Sequence, residues 1–132
     1  MQSILIIDDE MAIAQLLQIH LERAGHQVSI AATGKSGIGA ALAKMPDIIL
    51  LDIYLPDITG YDVLGRLKQD PRTRAIPVIL MTAYEEIAEP LGSPQRGLGQ
   101  GAEQIVIKRG SPKEIAGMLI DAIGRIRRPP GP

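Results

Sequence analysis

Ile4-Leu5-Ile6-Ile7-Asp8-Asp9-Glu10 is an apolar run of strand length that stops abruptly on three acidic residues. The run is continuous rather than alternating, the pattern of a parallel strand covered on both faces. The acidic stop excludes a signal-peptide core or a membrane span. Similar runs recur at residues 48–51, 78–81 and 105–107, and a weaker one covers 28–32. Helical periods lie between them. Ile13, Leu16, Leu17 and Leu21 share one face, with Gly25 as the stop. Thr33 caps a second helix carrying Ile38, Ala41, Leu42 and Met45, and residues 61–68 form a third through Val63, Leu64 and Leu67. Ser111-Pro112-Lys113-Glu114 combines an N-cap serine, a proline at the first helical position and a capping-box glutamate, ahead of Ile115, Leu119, Ile123 and Ile126.

Strand then helix, repeated, requires right-handed crossovers and predicts an α/β fold: a doubly wound, five-stranded parallel sheet with helices on both faces. Between Thr82 and Gln104 the breakers Pro90, Gly92, Pro94, Gly97, Gly99 and Gly101 leave at most a short helix near residues 85–89. The fourth helix is therefore expected to be short or irregular within a long, mobile loop. One domain is expected over residues 1–126, followed by a Pro-rich tail or linker stub at 127–132.

Composition narrows the function. The chain has 132 residues, 45% hydrophobic and 22% charged, a balance that buries a core and excludes a disordered chain. With no Phe, no Trp and three Tyr, the core is aliphatic, with Met45, Met81 and Met118 as fillers. The scarcity of aromatics and a net charge of -1 argue against direct nucleic-acid binding, and the one basic cluster, Arg125, Arg127 and Arg128, falls near the tail. The absence of cysteine excludes disulfides, thiolate metal sites and a cysteine nucleophile. A cytoplasmic location without membrane contact follows by default.

In an open parallel sheet, ligands gather outside the carboxyl ends of the strands. Asp8 and Asp9 follow the first run, Asp52 the third, Thr82 the fourth and Lys108 the fifth, so one edge collects all five. Each alone is ordinary: an aspartate before a helix is usually a cap, a threonine at a strand end a capping hydroxyl, a lone lysine a solvated charge. Together they are a candidate site. Three neighbouring carboxylates need a cation, and oxygen donors without Cys or His favour a hard ion such as Mg²⁺. A carboxylate can attack phosphorus to form an acyl phosphate when the charge of the transferring group is neutralised, a role open to Lys108 and Thr82.

These residues resemble the receiver domains of two-component response regulators. The stretch from Ile4 to Glu10 is similar to that family's first strand and acidic pair, and Asp47-Ile48-Ile49-Leu50-Leu51-Asp52 to its phosphoacceptor strand. Ile53-Tyr54-Leu55-Pro56-Asp57-Ile58-Thr59-Gly60 resembles the following loop, and Pro77-Val78-Ile79-Leu80-Met81-Thr82-Ala83 the fourth strand. The resemblance implies the flavodoxin-like strand order 2-1-3-4-5 and Asp52 as phosphoacceptor. It implies Mg²⁺ bound directly by Asp9, Asp52 and the Tyr54 carbonyl, with Asp8 acting through a metal-bound water. The resemblance also implies that Thr82 and Lys108 contact phosphoryl oxygens. The resemblance further implies that the donor is a phosphohistidine on a sensor histidine kinase or histidine phosphotransfer protein, and that the receiver catalyses its own phosphorylation and slow hydrolysis without being a conventional metabolic enzyme. Tyr54 and Tyr84 stand two residues beyond Asp52 and Thr82, at positions that tune that hydrolysis in the family; half-exposed tyrosines at the rim are the equally open plain reading. The output partner is unspecified, and a homodimer is left open.

The sequence departs from the family pattern in three places. Ile105 stands where an aromatic switch residue is usual. Arg109 stands where a cis proline is usual, and a cis bond before a non-proline residue costs about 2.5–4 kcal/mol, so the Lys108 loop is expected to be reshaped. The Gly/Pro-rich residues 89–101 replace the usual fourth helix. These departures support a rival reading, a phosphorylation-independent interaction module of receiver fold. An aspartyl-phosphate phosphatase would want an acid where Tyr54 stands, and a flavin binder would place a phosphate against aspartates. Gly34-Lys35-Ser36 imitates a phosphate-cradling loop, but the upstream glycine falls at Val28 or Ser29, which leaves a helix start. His20, on a helix face turned from the aspartates, and His26, in a turn, read as packed or solvated.

Overall fold

The computed structural model describes residues 2–83 and 95–126. Five parallel strands, β1 (Ser3–Ile7), β2 (Gln27–Ala31), β3 (Ile48–Asp52), β4 (Val78–Ala83) and β5 (Gln104–Lys108), form one sheet in the order β2-β1-β3-β4-β5. The helices are α1 (Met11–Arg23), α2 (Gly34–Lys44), α3 (Gly60–Gln69), α4 (Gln95–Gly99) and α5 (Pro112–Gly124). Among the described residues no helix is long and apolar enough to cross a membrane.

The continuous apolar runs have a direct cause. Successive side chains of a strand point to opposite faces, and each face has its own core. Ile4, Ile6, Leu50, Ile79, Met81 and Val106 pack with Leu17, Leu21 and Leu119 of α1 and α5. Leu5, Ile7, Leu51, Val78 and Leu80 pack with Ala41, Val63, Leu64 and Leu67 of α2 and α3. Burial follows sheet position: β3 at the centre is buried throughout, whereas β2 and β5 at the edges are mostly half-buried. The weakness of the 28–32 run is thus the signature of an edge strand.

The expected caps form. Thr33 Oγ1 accepts from Ser36 N–H at the start of α2, Ser111 from Glu114 N–H at the start of α5, and Gly25 follows α1 with φ 98°. Some side chains fall elsewhere. Leu16 is 43% exposed, because the stripe that α1 buries runs through Ala14, Leu17 and Leu21. Met45 is not on the core face of α2 but is its C-cap, in a left-handed conformation and exposed. Met118 is also exposed, so of the three methionines only Met81 fills the core.

The Gly/Pro-rich segment is not loop throughout, since Gln95–Gly99 is helical. Gly97 eases this: a Cβ there would collide with Leu80 Cδ1, so glycine lets the turn lie on β4 without displacing that side chain. Arg96 stacks on the Tyr61 ring, 4.5 Å from its centroid, and adds a cation–π contact to the same docking. The short helix expected near residues 85–89 and the tail at 127–132 lie outside the described residues.

Candidate phosphoacceptor site

Strand alternation selects the members of the site. Asp8 continues the parity of Ile4 and Ile6, Asp52 that of Ile48 and Leu50, and Lys108 that of Val106, so all three aim to the α1–α5 side of the sheet edge. Asp52 is level with Met81 in the β3–β4 register, and Ala83 is level with Lys108 in β4–β5. Lys108 therefore reaches back from just beyond the level of Asp52.

The lysine holds the cluster together. Its Nζ donates to Asp8 Oδ2 at 2.9 Å, to Asp52 Oδ2 at 3.1 Å and to Glu10 Oε1 at 3.2 Å, the full donor capacity of an ammonium. The Lys108 side chain is 6% exposed, and Asp8 and Asp52 are buried. The remaining carboxylate oxygens have partners in the backbone. Asp8 Oδ1 accepts from Glu10 N–H at 3.0 Å, and Asp52 Oδ1 from Tyr54 N–H at 3.3 Å.

Three carboxylates thus share one ammonium, and the electrostatics show the imbalance. Burial raises the Asp52 carboxyl; Lys108 pulls it down and Asp8 pushes it up, and the outcome is about 7. Burial alone would lower Lys108, but Asp52 and Asp8 outweigh it and hold the ammonium charged well above its usual range. Asp8, Glu10 and Asp52 each offer one oxygen, all within 4.8 Å of one another, a set suited to a hard divalent cation. A buried carboxyl raised for want of positive charge is the electrostatic counterpart of that donor set.

The sequence-derived candidates distribute unevenly. Asp8, Asp52 and Lys108 are in direct contact, and Tyr54 joins through its backbone N–H. Asp9, expected to ligate directly, is exposed and outside the carboxylate group, because its parity is opposite to that of Asp8 and the chain bends there. Glu10, to which sequence reasoning gave no role, is the third member of that carboxylate group. The signal was its spacing of two from Asp8, which an Asp8–Glu10 N–H turn preserves past the strand end. Thr82 is buried at the end of β4 with the parity of Leu80, and its hydroxyl donates to the Ala83 carbonyl at 3.4 Å. Tyr84 lies outside the described residues. Ile105 is half-buried against the α2–α3 core, and Arg109 follows Lys108 without a cis peptide among the described residues. The turn after Lys108 closes through Arg109 N–H to the Ile107 carbonyl at 2.9 Å, with Gly110 at φ 91°.

Comparison with known proteins identifies the family. The family model for the response regulator receiver domain matches residues 4–120. The chain belongs to the response regulator receiver domain family. This receiver is 38% identical over 128 residues to the DNA-binding dual master transcriptional regulator RpaA of Synechocystis, covering 97% of the chain and 50% of that protein. It is 37% identical over 127 residues to the transcriptional regulatory protein AfsQ1 of Streptomyces coelicolor, covering 96% and 50%. The receiver therefore spans about half the length of these relatives. Among solved structures it is similar to a CheY-like receiver domain protein of Methanospirillum hungatei, with a TM-score of 0.74 at 27% identity over 92% of each chain.

Proposed function

We propose that this receiver accepts a phosphoryl group on Asp52, assisted by Mg²⁺, from a phosphohistidine on a sensor kinase or histidine phosphotransfer protein, and slowly hydrolyses it. The observation that carries the reading is the Asp52 carboxylate, buried at the sheet edge, 3.1 Å from the Lys108 ammonium and grouped with Asp8 and Glu10. In the transfer, an Asp52 oxygen bonds to phosphorus while the bond from phosphorus to the donor imidazole nitrogen breaks, and its electron pair leaves with the imidazole. Lys108 neutralises charge on the phosphoryl oxygens, and the Thr82 hydroxyl donates to one of them once it turns from the Ala83 carbonyl. Asp8, Glu10, Asp52 and the Tyr54 carbonyl are the groups that would hold Mg²⁺, with Asp9 joining if the acidic turn closes inward. When bound, the ion offsets the excess negative charge and keeps Asp52 ionised at neutral pH.

Hydrolysis reverses the charge problem: water attacks phosphorus, inorganic phosphate leaves and Asp52 is regenerated, with the half-buried Tyr54 at the rim governing access. The receiver unit spans residues 1–126, with 127–132 as linker or tail, and works in the cytoplasm. Its output is a partner or effector domain that reads the phosphorylated state; RpaA and AfsQ1 are named as transcriptional regulators, and a DNA-directed output is one such effector. Peptide mapping tests the assignment. After incubation with acetyl phosphate and Mg²⁺, borohydride reduction should convert residue 52 to homoserine and leave Asp8 and Asp9 intact. Reduction at Asp8 or Asp9 instead would contradict it.

A further inference from the structure

The loop between β3 and α3, residues 53–59, carries Tyr54 and is pinned at three points. At its ends, Gly60 N–H donates to the Ile53 carbonyl at 2.7 Å, and a Cβ on Gly60 would collide with the Asp52 backbone carbonyl, so α3 starts directly on the strand end. Beside its last turn, Ile58 lies on Gly34, where an added Cβ would sit 2.5 Å from Ile58 Cγ1. In its middle, the two Asp57 oxygens accept from the first two amides of α2, Gly34 N–H at 2.8 Å and Lys35 N–H at 2.9 Å. Thr33 takes the third amide, that of Ser36, at 3.0 Å. The anion that fills the Gly34-Lys35-Ser36 helix start is therefore a carboxylate of the chain itself. The Lys35 amide above all, with those of Gly34 and Ile58, holds the Asp57 carboxyl down at about 2.

Between Asp57 and Tyr54 the backbone has little freedom. Pro56 fixes its own φ and restricts Leu55, and Leu55 is packed against the α2–α3 core. A clamp at Asp57 is thereby transmitted to the Tyr54 peptide, whose N–H holds Asp52 Oδ1. We propose that Asp57 is a positioning residue of the phosphoacceptor site: by fastening the loop to the N-terminus of α2 it holds the Tyr54 backbone against Asp52 and so sets the affinity for Mg²⁺. The proposal rests on the reading of Asp52 given above.

Titration calorimetry with Mg²⁺, paired with thermal unfolding, tests it on wild type, Asp57→Ala, Asp57→Asn and Thr33→Ala. Asp57→Ala should weaken Mg²⁺ binding by about tenfold, the lower end for loss of an outer-shell support, and Asp57→Asn should recover part of the loss. Thr33→Ala, which uncaps the same helix without touching the loop, should lower Tm and leave the Kd unmoved. Wild-type affinity in Asp57→Ala, or an equal loss in Thr33→Ala, would overturn the positioning role while leaving the phosphoacceptor reading intact. If Asp57→Ala does not fold, an unchanged Kd in Asp57→Asn overturns it equally. A wild-type protein that binds no Mg²⁺ would overturn both.

Discussion

Lys108 gives one hydrogen-bond donor to each of three carboxylates that lie 98, 56 and 100 residues away in sequence. Removing it leaves Asp8 and Asp52 buried without a cation, so Lys108→Ala should destabilise the protein by about 3–5 kcal/mol in Mg²⁺-free urea titrations. Added Mg²⁺ should restore part of that loss. The same shortage of positive charge makes stability depend on pH. The folded Asp52 carboxyl holds its proton until about 7, whereas the unfolded one releases it near 3.8. The folded state binds more protons over that interval, so without metal its stability falls as pH rises through it. Asp52→Asn removes the titration: chemical denaturation should find it more stable than wild type at pH 8 by no more than a few kcal/mol, with the gap closing toward pH 4. A gap that widens toward low pH would contradict the charge imbalance. At this scale the sequence showed Asp8, Asp52 and Lys108, because strand ends are legible from apolar runs. Glu10 and Asp57 were missed, because their roles depend on turns and on a loop-to-helix contact that no periodicity encodes.

Elements were legible where local chemistry specifies them. The Ser111-Pro112-Lys113-Glu114 signal gave α5 its start, and Thr33 gave α2 its cap. They were harder to read where a tertiary contact overrides local preference. Five residues with two glycines have poor helix propensity, yet Gln95–Gly99 is helical because Gly97 seats on Leu80 and Arg96 stacks on Tyr61. Gly97→Leu should therefore cost about 1–3 kcal/mol through overpacking, even though leucine is the better helix former; thermal unfolding would show a lowered Tm. A raised Tm would mean that propensity, not the approach to β4, governs this helix. Leu16 shows the limit of apolar periodicity: four apolar residues suggested one face, but the arc that α1 buries is narrower.

Over the whole molecule, two cores on either side of one sheet explain both the fold and the placement of the site. Each buried strand contributes alternate side chains to each core, which is why the runs are continuous. Where the runs end, the same alternation sorts polar residues: Asp8, Asp52 and Lys108 inherit one face, Asp9 and Thr82 the other. Alternation of strands and helices was enough to predict a doubly wound sheet, but the order β2-β1-β3-β4-β5 depends on long-range pairing and came from resemblance to the family. On the proposed reading, this edge is a metal-assisted phosphoacceptor. Its most direct test is intact mass after incubation with acetyl phosphate, with and without Mg²⁺, on wild type and Asp52→Asn. A single phosphoryl adduct that needs Mg²⁺ and is lost in Asp52→Asn is the predicted result. No adduct under conditions that phosphorylate a control receiver, or an undiminished adduct in Asp52→Asn, would contradict it, and the former would leave a receiver fold that signals by binding alone.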